Sequence, residues 1–457
     1  MVQLPAPMLD PNSIMSLKRG IFYTLLMQAP TLLLYFVASM LMTRMLGDVG
    51  RGEYALITNH VALLAMVIGL NLGYGLTFFT SKASGDPLAV VGVAACFLLV
   101  NMFLTPLLLW CISLSDIMSG VLMPPERTHW GYWAFIYLSV MLGLVNTSIG
   151  AVLLGLKKFR TLNWMSLLNA ALSAAGLLIL FNLRDRVEPD GLLPMVLIVS
   201  AIAMLLQCLA WCAVYAIQIH IIPRPVWAWA IVKPILTFSI VGHLSNLINL
   251  INYRFDVWVV DYYHGAAELG LYAVAVGVGQ LLFNVPEPFS RVVQPFLFGQ
   301  VKDEMISRFK AIARLNFTTL TLLAILLGTT APWIIPLLFG EVFLPSVTPL
   351  CLLLPGIVFS GVSKLLAQLV VQGSLQRFNL YATSIAALVT ICLDMFLIPR
   401  YGIEGAAIAS TLSYLSVLAI ILLTIRFRSG IAVHDVFLLR PSDIRQIGQS
   451  IRSTARP

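Results

Sequence analysis

Leu46-Gly47-Asp48-Val49-Gly50-Arg51-Gly52-Glu53-Tyr54-Ala55 is echoed 218 residues later by His264-Gly265-Ala266-Ala267-Glu268-Leu269-Gly270-Leu271-Tyr272-Ala273. Gly47, Gly52 and Tyr54 recur as Gly265, Gly270 and Tyr272. The same offset carries Gly155, ahead of Lys157-Lys158-Phe159, onto Gly373, ahead of Gln376-Arg377-Phe378. Four matches at one offset mark an internal duplication. Each copy is built of long apolar segments, so the chain reads as a membrane protein of two repeated bundles. In secondary transporters, substrate sites lie at the interface between such repeats.

Composition agrees. Charged residues make up 11% of the chain, against about 25% in soluble domains, and the mean hydropathy is +0.92. So much apolar surface needs lipid as its solvent. The first apolar stretch, Ile21–Met42, is too long for the core of a secretory signal and reads as the first span. The six cysteines lie in or beside apolar segments without CxxC spacing. Packing is their expected role, and no metal or cofactor is expected.

Runs long enough to cross about 30 Å of hydrocarbon fall near 20–43, 54–81, 88–114, 129–156, 162–182 and 192–219. The second half repeats them near 232–260, 268–299, 311–338, 345–373, 377–398 and 402–425. The expected fold is all-α and polytopic, with about 12 transmembrane helices in two parallel six-helix repeats. Its parts are an N-terminal lobe (1–219, with an interfacial segment near Asn12–Leu17), a linker (220–231), a C-terminal lobe (232–426) and a tail (427–457). In the tail, Ile444, Ile447 and Ile451 share one face, as an amphipathic helix on the membrane would.

With both termini cytoplasmic, 19 of the 28 basic residues fall in inner segments. Only Arg44, Arg51, Arg127, Arg184, Arg186 and Arg400 fall in outer loops. That is a strong positive-inside bias, and it accounts for the net charge of +8 without a nucleic-acid partner. Trp164, Trp211, Trp227 and Trp229 near inner ends, with Trp130, Trp133 and Trp333 near outer ones, fit interfacial belts.

Three basic residues remain inside the membrane: Arg254, Arg291 and Lys364. Asp256, Glu287 and Asp394 are their acidic counterparts. A charge at the centre of a span costs about 2.5–3.5 kcal/mol on insertion scales, so such residues usually face a cavity. The competing reading is mutual neutralisation, as in the i,i+4 pair Glu287 and Arg291.

Span seven has a greasy arc of Leu244, Leu247, Ile248, Ile251, Phe255 and Trp258. Its remaining arc holds His243, Ser245, Asn246, Asn249, Asn252, Tyr253 and Asp256, which hydrocarbon could not satisfy. Span one carries Thr24, Gln28, Thr31, Tyr35 and Ser39 as an uncharged stripe, suited to helix contacts or to a cavity wall. If both stripes face inward they line one chamber, neutral on one side and cationic on the other. The expected substrate-binding residues are Arg254, Arg291, Lys364, Asn246, Asn249, Tyr253, Gln28 and Tyr35. Candidates for ion coupling are Asp256, Glu287 and His243.

Leu46–Ala55 resembles the junction of spans one and two in Wzx-type polysaccharide flippases, lipid-linked oligosaccharide translocases of the MOP superfamily. Tyr253-Arg254-Phe255-Asp256 with Glu268–Ala275, Leu338–Phe343, and Tyr401–Ala409 are similar to later segments of that family. The resemblance implies a MATE-like fold and a polyprenyl-pyrophosphate-linked oligosaccharide moved from inner to outer leaflet for O-antigen or exopolysaccharide assembly. It also implies a bacterial or archaeal cytoplasmic membrane and no enzymatic activity. H+ or Na+ would be the coupling ion; a polysaccharide polymerase and chain-length proteins would be partners. A MATE-type multidrug/cation antiporter would share the fold, but such proteins carry a cation-binding acid in span one, and Ile21–Thr43 has none. A polytopic glycosyltransferase or polymerase would need a large outer loop.

Overall fold

Gly47 stands at φ +66°, ψ −169° and Gly265 at φ +78°, ψ −177°, so the two copies of the repeated stretch share one backbone conformation. Positive φ is open to glycine and costly for residues with a Cβ. The computed structural model describes residues 11–81, 87–114, 130–219, 224, 225, 227, 229–286, 302–372, 376–429, 432–437 and 440. The helices are α1 (Pro11–Gly69), α2 (Leu72–Ser81), α3 (Pro87–Ser113), α4 (Trp130–Gly155), α5 (Phe159–Leu183) and α6 (Leu192–Ile219). They continue with α7 (Trp229–Gln280), α8 (Lys302–Phe339), α9 (Val347–Gln372) and α10 (Gln376–Ser429).

Among the described residues, nine helical stretches are long and apolar enough to cross a membrane. Three of them, in α1, α7 and α10, are each broken at a single glycine, Gly47, Gly265 or Gly402. Dividing these three at their glycines turns nine stretches into twelve apolar segments, six on each side of the 220–231 region. Pro11–Gly69 is helical through Asn12–Leu17, without a separate interfacial element. Gly373, the partner of Gly155 in the repeat, and the tail beyond 440 lie outside the described residues.

Two expectations are corrected. The segment 54–81 is not one helix: Leu70 (φ +47°) and Asn71 (φ +52°) are left-handed and separate α1 from α2. Asn tolerates that conformation, whereas Leu gives up about 1–2 kcal/mol to enter it. Trp211 does not belong to an interfacial belt. It is 7% exposed and packs with Leu153 and Met165, in space left by Gly150, where a Cβ would lie 3.7 Å from the indole. Trp130, Trp164, Trp227, Trp229 and Trp333 are exposed, as a belt requires.

Packing divides the chain into two compact units, Met1–Met45 with His60–Leu244, and Leu46–Asn59 with Ser245–Pro457. In the first unit α2 lies against α4, where Thr77 Oγ1 donates to the Ala151 carbonyl at 3.1 Å. Leu72, Leu76, Val90, Val93, Ala151, Val232 and Ile235 form a common core there. The second unit is centred on Phe309, Ala313, Val362, Leu365, Leu366, Ala382 and Leu418 from α8, α9 and α10. Val436 closes one edge of that core. Beside it Asp435 accepts from Lys310 Nζ at 2.8 Å, and Arg314 Nη1 donates to the Asp435 carbonyl at 2.7 Å.

The repeated stretches meet inside the second unit. A Cβ added to Gly52 would lie 1.8 Å from the Ala266 carbonyl oxygen, and one added to Gly270 would lie 1.8 Å from that of Asp48. The glycines therefore permit a reciprocal contact of two backbones. Small residues at membrane helix crossings serve this purpose.

Candidate functional site

Asn252 and Asp256 are one helical turn apart on α7, and both are buried. The polar arc expected on this helix thus turns in part toward protein, while Leu244 on the greasy arc is exposed. Asn246 is exposed and Asn249 half-buried.

The first arm of α10 brings Thr390 and Asp394 beside them, and its second arm brings Ser410, Ser413 and Tyr414. The hydroxyls of Thr390 and Ser413 reach Asn252 Oδ1 at 2.7 and 2.8 Å and lie 2.7 Å from each other. Asp256 accepts from its neighbour's backbone N–H at 2.8 Å, from the Tyr272 hydroxyl and from Ser410.

Asp394 is 0% exposed, and among the described residues neither of its carboxylate oxygens has a hydrogen-bond partner. Asp256 lies within electrostatic reach of it. A bare carboxylate costs several kcal/mol to bury, and a second carboxylate nearby raises that cost. The pair therefore invites a proton or a small cation. No group of three or more His, Cys, Asp and Glu side chains in metal-binding array occurs among the described residues.

Arg254 is half-buried and is linked to Asp256 through space rather than by a hydrogen bond. It also feels Arg51, a like charge. The expectation that Arg51 sits in an outer loop is corrected: it is helical, five residues into the segment that joins the second unit. Its Nε is buried without a hydrogen-bond partner among the described residues, and its guanidinium lies 6.0 Å from the Tyr54 ring centroid. Two guanidiniums that sense each other's charge make a positive field that suits an oxyanion.

Lys364 is exposed on α9 with its Nζ 4.2 Å from the Phe283 ring centroid. Phe283, Tyr253 and Tyr414 form an aromatic triangle with centroids 5.6–6.3 Å apart. Gln28, Tyr35 and His243 belong to the first unit. Tyr35 accepts from Asn169 Nδ2 at 2.7 Å. His243 is buried, with no partner for Nδ1 among the described residues. Glu287 and Arg291 lie outside the described residues.

The sequence reading singled out Asp256 and Arg254 but left Asp394, Asn252, Tyr272, Thr390, Ser410 and Ser413 without assigned roles. Asp394 was visible as an acid inside an apolar run. Its proximity to Asp256 joins residues 138 apart in the chain, beyond the reach of any local pattern.

Residues 196–348 match the sequence model of a family described as "Polysaccharide biosynthesis protein". No curated protein sequence matches the chain significantly. Among solved structures, a lipid II flippase, MurJ, in an inward closed conformation superposes with a TM-score of 0.69 at 14% identity, over 91% of this chain and 89% of that one. A multidrug resistance MATE family transporter of the MOP superfamily, inward-facing, gives a TM-score of 0.67 at 13% identity, over 87% and 94%. A point mutant of VcmN, a MATE transporter of Vibrio cholerae, gives 0.53 at 14% identity, over 90% and 98%. The chain therefore shares the helical fold of these flippase and transporter structures, and its middle third carries a polysaccharide-biosynthesis sequence signature.

Proposed function

We propose that the protein is a flippase that moves a polyprenyl-pyrophosphate-linked oligosaccharide from the inner to the outer leaflet of the cytoplasmic membrane. Transport would proceed by ion-coupled alternating access. The observation that carries the reading is the presence, in one unit, of two arginines that sense each other's charge and of a buried Asp394 without hydrogen-bond partners among the described residues, within electrostatic reach of the hydrogen-bonded Asp256. Arg254 and Arg51 supply a field for a pyrophosphate or acidic sugar. Asp394 and Asp256 supply a site for H+ or Na+. The polysaccharide-biosynthesis match over 196–348 includes Arg254 and Asp256. Lys364, Asn246, Asn249 and Tyr253 extend the proposed contact surface for the sugars within this unit. Positive charge at Arg51 and Arg254 opposes a cationic drug as cargo, which disfavours the antiporter alternative.

The test uses purified full-length protein in proteoliposomes loaded with a labelled polyprenyl-pyrophosphate oligosaccharide, under an imposed proton or sodium gradient. Wild type should translocate the lipid in a gradient-dependent way. Asp394→Asn should bind the lipid yet lose the dependence on the gradient, and Arg254→Ala should lose binding. Gradient dependence undiminished in both Asp394→Asn and Asp256→Asn would place coupling elsewhere and sink this mechanism.

A further inference from the structure

Within the first unit, a lysine occupies the position at a helix end that glycine usually holds. Helix α4 closes with Lys158 N–H donating to the Leu153 carbonyl at 3.0 Å and Lys157 N–H to the Leu154 carbonyl at 2.9 Å. That pair of bonds ends a helix on a left-handed residue, most often glycine. Here the residue is Lys157, at φ +59°. A side chain kept where glycine would be less strained calls for a compensating use. Lys157 and Arg160 are exposed and Lys158 is half-buried. None of the three forms an ion pair among the described residues. Lys158 Nζ donates to the Gln218 carbonyl at 3.4 Å, and Gln218 Nε2 donates to Thr161 Oγ1 at 3.1 Å, so the turn is fastened to the end of α6. Counter-charge is missing from the neighbouring sequence as well. No Asp or Glu occurs between Glu126 and Asp185 or between Asp190 and Asp256, while Arg224 and Lys233 follow α6.

Depth follows from helix length. Helix α4 is 26 residues long, about 39 Å at 1.5 Å per residue, against about 30 Å of hydrocarbon. It starts at the exposed Trp130, so its two ends reach opposite interfaces and the Lys157 turn lies at headgroup level. From there α5 re-enters the membrane. Arg160 and Trp164 are one turn apart on it and share a face, and Trp164 is 50% exposed. Leu156 and Phe159, also exposed, flank the cations. Positive charge at headgroup level, with an apolar ring one turn deeper, matches a phospholipid whose phosphate sits above its acyl chains.

We propose that the α4–α5 turn is a docking site for the headgroup of an anionic phospholipid. Lys157, Lys158 and Arg160 take its phosphate oxygens, and Phe159 and Trp164 lie along the first carbons of its chains. The Lys158 ammonium has three donors, so the bond to Gln218 leaves others for the lipid. Each cation near an anionic surface adds about fivefold to the affinity. Lys157 and Arg160 lie open at the surface rather than enclosed, which suits a lipid that exchanges with the bilayer. The site is independent of the flippase reading, since it answers to the lipid around the protein and not to the lipid carried.

Bromine quenching of Trp164 tests it, with the full-length protein in nanodiscs of phosphatidylcholine. Subtracting the emission of Trp164→Phe isolates this indole. Dibrominated phosphatidylglycerol at low mole fraction should quench Trp164 more than dibrominated phosphatidylcholine at the same fraction, and added salt should narrow the gap. Lys157→Gly should raise the thermal midpoint, because glycine relieves the left-handed turn, yet cut the preference for phosphatidylglycerol about fivefold. Arg160→Gln should cut it alike, and the two substitutions together should abolish it. A raised midpoint in Lys157→Gly with the preference intact would leave Lys157 a strained turn residue and overturn the proposal. Equal quenching by the two lipids in wild type would make Trp164 an ordinary interfacial anchor and overturn it as well. Displacement of brominated phosphatidylglycerol by farnesyl pyrophosphate, at far lower concentration than by unlabelled phosphatidylglycerol, would assign the turn to the polyprenyl carrier and overturn the phospholipid.

Discussion

Replacing Gly52 by alanine should damage the protein through a backbone clash that replacing Gly47 does not create. At Gly52 the new Cβ would lie 1.8 Å from the Ala266 carbonyl oxygen and 2.8 Å from the Gly270 nitrogen. Both neighbours are backbone, so no rotamer change relieves the clash. Carbon and oxygen need about 3.3 Å, so the two backbones must part by about 1.5 Å. Overpacking of this kind costs about 1–3 kcal/mol, and a backbone-on-backbone clash belongs at the upper end.

Gly270→Ala should cost about the same, because its Cβ meets Asp48 in the mirror-related way. The double variant should cost much less than the sum, since one separation of the helices admits both methyl groups; contacting residues commonly couple by about 0.5–3 kcal/mol. Gly47→Ala meets nothing within 4 Å, so its cost is the backbone strain of φ +66°, ψ −169° alone, about 1–3 kcal/mol. Thermal midpoints of the full chain in detergent read all four variants. The reasoning fails if Gly52→Ala and Gly270→Ala keep the wild-type midpoint, or if their losses simply add.

Two further outcomes follow from side-chain environments. The Lys310 ammonium, hydrogen-bonded to Asp435, holds that carboxyl below its ordinary value, with Arg440 assisting. A depressed carboxylate contributes stability above its unfolded pKa of about 3.9 and loses it as pH falls through the lower folded value. Proteolysis of the 432–440 segment should therefore be slow at about pH 6 and accelerate below about pH 4, and Asp435→Asn should remove that pH step; an unchanged step would assign it to another group. Trp211→Ala should cost about 3–5 kcal/mol, whereas the exposed Trp229→Ala should leave the thermal midpoint nearly unchanged, and equal effects would refute the burial assignment.

Much of the fold was legible because a bilayer imposes simple rules. Apolar length marks spans, a glycine between two such lengths marks a turn, and an offset of 218 marks equivalent turns. Gly47 and Gly265 bear this out with matching φ and ψ. Leu70–Asn71 was not legible, because an apolar leucine forced into the left-handed region has no compositional signature. Asn71 packs beside Gly242, more than 160 residues away in the chain.

The candidate site divides along the same line. That Asp256, Asp394 and Arg254 are costly inside apolar segments follows from residue type alone, since hydrocarbon solvates no charge. Which charge faces which is a matter of three-dimensional packing. The chain brings Asp394 toward Asp256 rather than pairing it with a cation among the described residues, sets Arg51 within electrostatic reach of Arg254, and buries Trp211 against Met165 instead of leaving it at the interface. One-dimensional periodicity reports the face of a helix a residue occupies; the neighbour across that face is chosen only when distant helices pack.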